Sequence, residues 1–144
     1  MNLANFGNSV PVTCSLTTPI SAVAQMMDAQ DVGSVIVLND DEQLAGIVTD
    51  RDLVVRAMAD GRDLDTPVVK IMTSDVIWLR EDASPFSAAT EMATAGCRRM
   101  PILDTHARVT GVIALDDLLT VFAQQTEKLA KVIGTEIANP NLTA

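Results

Sequence analysis

Aromatic side chains are scarce in this chain: 144 residues include no Tyr, one Trp and three Phe. A core must therefore come from Val, Ile, Leu, Met and Ala, and the seven Met suit its irregular gaps. One His and two Cys form no CxxC pair or His/Cys cluster with metal-ligand spacing, so no metal site is expected. Cys14 and Cys97 read instead as buried or half-buried thiols of a reducing compartment. No apolar run approaches the roughly 20 residues of a membrane span. The opening MNLANFGNSV lacks the basic and apolar regions of a secretory signal, so the expectation is a cytoplasmic protein. Positive charge is short as well, with 10 Lys and Arg against 19 Asp and Glu for a net charge of −9. Nucleic acid needs a basic footprint and is not an expected partner. No activated Ser or Cys, catalytic dyad or paired carboxylates can be picked out, so catalysis is not expected.

What the chain does have is one segment written twice. A shift of 65 positions lays residues 33–58 on 98–123 without a gap: Gly46 falls on Gly111, Ile47-Val48 on Val112-Ile113, Asp52 on Asp117 and Leu53 on Leu118. Upstream, Ile20, Val23 and Met26 match Phe86, Ala89 and Met92 at a shift of 66. Two copies are too few for a solenoid. Packed face to face they give a pseudo-symmetric domain with two related clefts, and ligands favour clefts.

Each copy reads as strand, helix, strand, strand, helix. In the first, Val10 to Cys14 is a short β-branched stretch, and Thr18-Pro19 opens a helix whose inner face carries Ile20, Val23, Met26 and Met27. Ser34 to Leu38 and Leu44 to Val48 form a hairpin around the polar turn Asn39-Asp40-Asp41-Glu42. Thr49 or Asp50 then caps a helix with Leu53, Val54, Ala57 and Met58 inward. Gly61 to Pro67 connects the copies. The second copy runs as a strand over Asp75 to Leu79, a helix from Ser84-Pro85 to about Ala95, a hairpin of Met100 to Leu103 with Val109 to Ala114, and a closing helix from Asp116. That helical pattern continues through Leu129, Val132, Ile133 and Ile137 until Pro140. The expected division is a first repeat over 8–62, a second over 68–125, and a C-terminal helix and tail over 126–144.

The repeated Gly46-Ile47-Val48-Thr49-Asp50-Arg51-Asp52 and Gly111-Val112-Ile113-Ala114-Leu115-Asp116-Asp117 sit where a strand turns into a helix. A glycine there permits close backbone approach. The helix start offers free N–H groups and a positive dipole end, favourable for phosphate. A carboxylate one turn in, Asp52 or Asp117, can accept both hydroxyls of a ribose, and Thr49 adds a hydroxyl. In one copy such residues are most simply caps; their recurrence at matching places points to a site. Arg51, Arg98, Arg99 and Lys70 are the cations that could meet phosphate on an acidic protein. His106 reads as an exposed turn residue, and Trp78 as packing, in the interior or at an interface.

The Gly-hydrophobic-hydrophobic-Thr-x-x-Asp-Leu run, the upstream Val-Ile-Val or Met-Pro-Ile-Leu strand, and the Lys70-Ile71-Met72-Thr73 lead into the second copy together resemble a tandem CBS-domain protein. The resemblance covers about residues 8–125. It implies an α/β (α+β) fold of two β-α-β-β-α repeats packed as a pseudo-two-fold pair, here with a C-terminal helical extension. It further implies a sensor rather than a catalyst, a homodimer, and an adenosyl ligand such as AMP, ADP, ATP or S-adenosylmethionine. In one implied cleft Ile47, Thr49 and Asp52 hold ribose and phosphate, with Arg51 and Arg99 as phosphate partners, while Met72, Val76, Ile77 and Ile102 enclose adenine. In the other, Val112 and Asp117 face Pro11, Val12 and Val37. Ala114 stands there in place of Thr or Ser, which makes the Thr49 cleft the stronger of the two. Output is expected to pass through a separate effector protein or through self-association. A dimerisation module without ligand is the alternative.

Overall fold

The structure is a computed structural model that describes Leu3, residues 10–138 and Asn141. The expected first boundary at residue 8 and the tail from Pro140 lie outside the described residues, Asn141 apart. The first repeat runs β1 (Thr13–Ser15), α1 (Ile20–Gln30), β2 (Ser34–Leu38), β3 (Leu44–Thr49) and α2 (Asp50–Asp52), which continues as a π-helical segment, Leu53–Met58. A 3₁₀ turn, Val68–Lys70, lies in the connection. The second repeat runs β4 (Leu79–Arg80), α3 (Pro85–Ala95), β5 (Arg99–Leu103), β6 (Val109–Ala114) and α4 (Leu115–Ala138).

Each repeat folds its strands into its own three-stranded sheet, ordered β1-β2-β3 and β4-β5-β6. The first pair of each sheet is parallel and the second antiparallel. The correspondence extends to irregularities. Register shifts fall between Val37 and Leu38 and between Ile102 and Leu103, 65 positions apart. In the first hairpin Asn39 Oδ1 accepts the amides of Asp41 and Gln43, both at 3.0 Å, and Glu42 takes φ +59°. In the second, Asp104 Oδ1 accepts those of His106 (2.8 Å) and Arg108 (3.0 Å), and Ala107 takes φ +60°. The acidic cluster after Asn39 is thus the tip of a hairpin whose turn the Asn side chain closes.

Strand alternation explains the two cores. Val35, Val37 and Val48 face the first repeat's helices and pack with Val23, Ala57 and Ile71. Met100, Ile102 and Ile113 do the same in the second, with Ala88, Met92 and Leu118. Burial of such side chains contributes about 1.5–3 kcal/mol each. Ile36 and Ile47 are buried yet belong to neither cluster, as alternation to the opposite sheet face requires. Leu3 is buried in the second repeat's core and its amide donates to the Ala83 carbonyl at 3.0 Å.

Four local expectations differ from the structure. The strand at Val10 is shorter and begins at Thr13. The strand expected over Asp75–Leu79 is only Leu79–Arg80, because Thr73 turns aside to pair with Ile47. Thr18 does not cap α1: its hydroxyl serves the Ser15 amide at 3.1 Å, and Pro19 itself holds the cap position. Val54 and Met58 are exposed rather than inward. The Ala59 amide there bonds to the Val54 carbonyl five residues back, and the wider turn rotates these side chains off the inner face.

Candidate functional site

The strand-to-helix corner of the first repeat is a reciprocal cap. Thr49 Oγ1 accepts the Asp52 amide at 3.2 Å, while Asp52 Oδ2 accepts the Thr49 amide at 2.9 Å and its hydroxyl at 3.1 Å. Two orphan amides are satisfied, and the carboxylate is fixed one turn into the helix. Its second oxygen, Oδ1, lies 3.5 Å from Arg56 Nε. Arg56 was not singled out from sequence, although its i,i+4 spacing from Asp52 is a readable signal. In the second repeat Asp117 Oδ2 accepts the Ala114 amide at 2.8 Å, and Ala114 has no hydroxyl to complete the box.

The freedom at Gly46 is used by the chain itself. A Cβ there would stand 2.6 Å from Met72 Sδ and 2.8 Å from the Thr73 carbonyl oxygen. Thr73 and Ile47 exchange backbone hydrogen bonds of 3.0 and 2.9 Å. The connecting segment therefore lies along the edge of β3 and brings Ile47, Met72 and Thr73 together.

Between the repeats lies a cavity of about 300 Å³ lined by Asp50, Arg51, Arg98, Arg99, Ala114, Leu115 and Asp116. Its walls are pseudo-symmetric. The Gly33 carbonyl accepts the Asp50 amide at 3.1 Å, and the Arg98 carbonyl accepts the matching Leu115 amide at 2.8 Å. Three guanidinium groups and the starts of α2 and α4 outweigh two carboxylates there, so the cavity suits an anion although the chain as a whole is acidic. Arg51 and Arg99, expected to meet phosphate, thus share one cavity with Arg98. Lys70 does not line it.

The remaining expected residues are dispersed. Val76 lines a separate hollow of about 330 Å³ near the hairpin tips, with Leu44, Ser74, Trp78 and Leu103. Ile77 and Trp78 are exposed at 46% and 48%, so Trp78 is not interior packing. Ile102 and Val37 are buried in the two helix-side cores and present almost no surface to a ligand. Pro11 and Val12 line an open hollow of about 530 Å³ against α1, with Ala22, Met26 and Gln30. Val112 pairs with Pro101 on the half-buried face of β6, and Asp117 is exposed. Neither Val37, Val112 nor Asp117 lines the hollow of Pro11 and Val12. Among the described residues no helix is long and apolar enough to cross a membrane.

The sequence profile of the CBS domain matches residues 4–58 and again residues 68–124. An uncharacterized protein of Methanopyrus kandleri is 32% identical over 111 residues, or 76% of this chain, and this chain spans 57% of that protein's length. A CBS domain protein from Pyrobaculum aerophilum, complexed with AMP, shares the fold with a TM-score of 0.77 at 23% identity, over 86% of this chain and 99% of that one. The CBS domain pair of protein MJ0100, in complex with 5′-methylthioadenosine and S-adenosyl-L-methionine, gives 0.78 at 22% identity over 87% and 98%. The fold of two three-stranded sheets with their helices is what this chain shares with these structures.

Proposed function

The chain belongs to the CBS-domain family, and on that premise we propose that it is a regulatory module whose ligand is an adenosyl compound: AMP, ADP, ATP or S-adenosylmethionine. The observation that carries the reading is the carboxylate of Asp52, held by Thr49 beside a connecting segment from the other repeat. A ribose hydroxyl donates to such a carboxylate at Oδ1, the oxygen that Thr49 leaves free. Ile47 and Thr49 wall the ribose, and Met72, Val76, Ile77 and Ile102 take the adenine. Ile102 is 1% exposed in its repeat's helix-side core, so it backs the adenine subsite from behind the sheet rather than touching the ring. Phosphate enters the anion-friendly cavity toward Arg51 and Arg99. The complexes of the Pyrobaculum protein with AMP and of MJ0100 with S-adenosyl-L-methionine support the ligand class. The second cleft, with Pro11, Val12, Val37, Val112 and Asp117, lacks one hydroxyl contact and is weaker by about 0.5–1.5 kcal/mol.

In this reading repeats 8–62 and 68–125 enclose the ligand, and 126–144 extends from them. The protein works in the cytoplasm as a homodimer and signals to a separate effector, without catalysis. Signalling requires unequal ligand affinity for two conformations. One observation favours the alternative of a ligand-free dimerisation module: Asp52 is already engaged by its cap and by Arg56.

Thermal unfolding with AMP, ADP, ATP, S-adenosylmethionine and NADH separates the two. A ligand at 100 times its Kd adds about 2.7 kcal/mol, several degrees for a domain of this size. The expected result is a selective shift that Asp52→Asn, which keeps an acceptor for the cap, reduces without abolishing. No shift with any of the five, in protein freed of bound nucleotide, would replace the sensor by the dimerisation module.

A further inference from the structure

We infer that Arg56 is a positioning residue of the Asp52 cleft, a strut that holds the ribose-binding carboxylate and the adenine-facing connecting segment in one register. The inference rests on the reading of Asp52 given above. Arg56 Nε lies 3.5 Å from Asp52 Oδ1. The same guanidinium reaches the connecting segment through Nη1, which donates to the carbonyls of Ile71 at 3.2 Å and Met72 at 3.3 Å and to Thr73 Oγ1 at 3.4 Å. A planar fork can serve both sides at once; a point charge such as an ammonium cannot hold the same geometry.

The two groups it joins also meet in the first repeat's core, where Ile71 packs with Ala57, and Arg56 adds the polar link between them. Thr73 is held to the first repeat by the paired bonds to Ile47, and Arg56 ties its own helix to Ile71, Met72 and Thr73. Asp52 Oδ2 is occupied by the Thr49 amide and hydroxyl, which leaves Oδ1 to Arg56. A carboxylate oxygen has two lone-pair sites, so a ribose hydroxyl can join Arg56 at Oδ1 without displacing it. The strut exists in one repeat only. The position 65 residues on is Val121, which is buried in the second repeat. The symmetry of the two clefts therefore breaks at Arg56 as well as at Thr49 and Ala114. Arg56 sets the width of the first cleft while it touches no ligand atom.

A double-mutant cycle on ligand affinity tests this, with AMP, ATP and S-adenosylmethionine titrated into wild type, Arg56→Gln, Asp52→Asn and the double variant. Arg56→Gln is expected to weaken whichever of the three bind by about threefold to tenfold. In the Asp52→Asn background the same change is expected to have almost no further effect, because strut and carboxylate act as one unit. Arg56→Lys, which keeps the charge and loses the fork, should fall between wild type and Arg56→Gln. Hydrogen exchange at the Thr73 amide should quicken in Arg56→Gln before any ligand is added. Equal losses in both backgrounds, or no loss at all, would overturn the inference and leave the sensor reading standing. A wild-type protein that binds none of the three would remove the reading of Asp52, and this inference with it.

Discussion

Arg99 leaves its own repeat to meet Asp50 of the other, with Nη1 3.9 Å from Oδ1. It can lie there because residue 33 is glycine: a Cβ at Gly33 would stand 2.5 Å from Arg99 Nη2. The pair is largely solvated, so its own contribution to stability is small. Its importance is where it parks a cation, at the rim of the cavity between the repeats.

If that cation meets a phosphate, Arg99→Ala should weaken AMP and ATP by about threefold to tenfold. S-adenosylmethionine, which carries no phosphate, should be unaffected. Isothermal titration with each ligand reads the difference. An equal loss for all three would remove Arg99 from the phosphate subsite.

The two strand-to-helix corners should respond in opposite directions. Thr49→Ala removes a reciprocal cap and should cost about 1 kcal/mol of unfolding free energy. Ala114→Thr supplies the hydroxyl missing beside Asp117 and should add a similar amount. Urea denaturation of both variants checks this, and a destabilised Ala114→Thr would show that the second corner has no room for a cap.

Gly46→Ala should destabilise by about 1–3 kcal/mol. Met72 Sδ, 2.6 Å from the added carbon, can swing away, but the Thr73 carbonyl at 2.8 Å is bonded to the Ile47 amide. The variant should also quicken amide exchange at Thr73. A fully stable Gly46→Ala would mean that the connecting segment is free to retreat.

Burial pushes the Cys14 thiol up from its ordinary value of 9.0, with the Thr18 side chain pulling slightly the other way. A thiol raised in the fold favours the native state while protonated, so its contribution is complete below the ordinary thiol range and lost as the pH climbs through it. Unfolding free energy should therefore decline from pH 8 toward pH 10, and Cys14→Ala should flatten that slope. An unchanged slope in Cys14→Ala would assign it to other groups.

The repeat was readable because alternation, turn chemistry and capping agree in both copies. Val109–Ala114 and Pro85–Ala95 have the expected ends, and Ser84 caps α3 by accepting the Ser87 amide. Legibility failed where a distant contact overrode a local signal. Residues 75–79 read as a strand, yet their neighbour Thr73 is claimed by Ile47 and the strand is only Leu79–Arg80. Val54 and Met58 sit at helical spacing, but the π-helical turn carries them outward. At the site, the Thr49–Asp52 pair was legible because its logic is local. A glycine at 46 reads as permitting close backbone approach, and the fold shows that Met72 and Thr73 make that approach.

The last helix is a single element of 24 residues, Leu115–Ala138, and its first residues form a wall of the central cavity. At 1.5 Å per residue it is a rigid rod of about 36 Å. A tilt of about ten degrees at the cavity end would sweep the far end, near Ile137, through about 6 Å if the rod stays straight. Leu129, Val132, Ile133 and Ile137 are carried on that outer half with their side chains exposed. A small rearrangement around an anion would thus arrive as a displaced greasy stripe far from where the charge was bound.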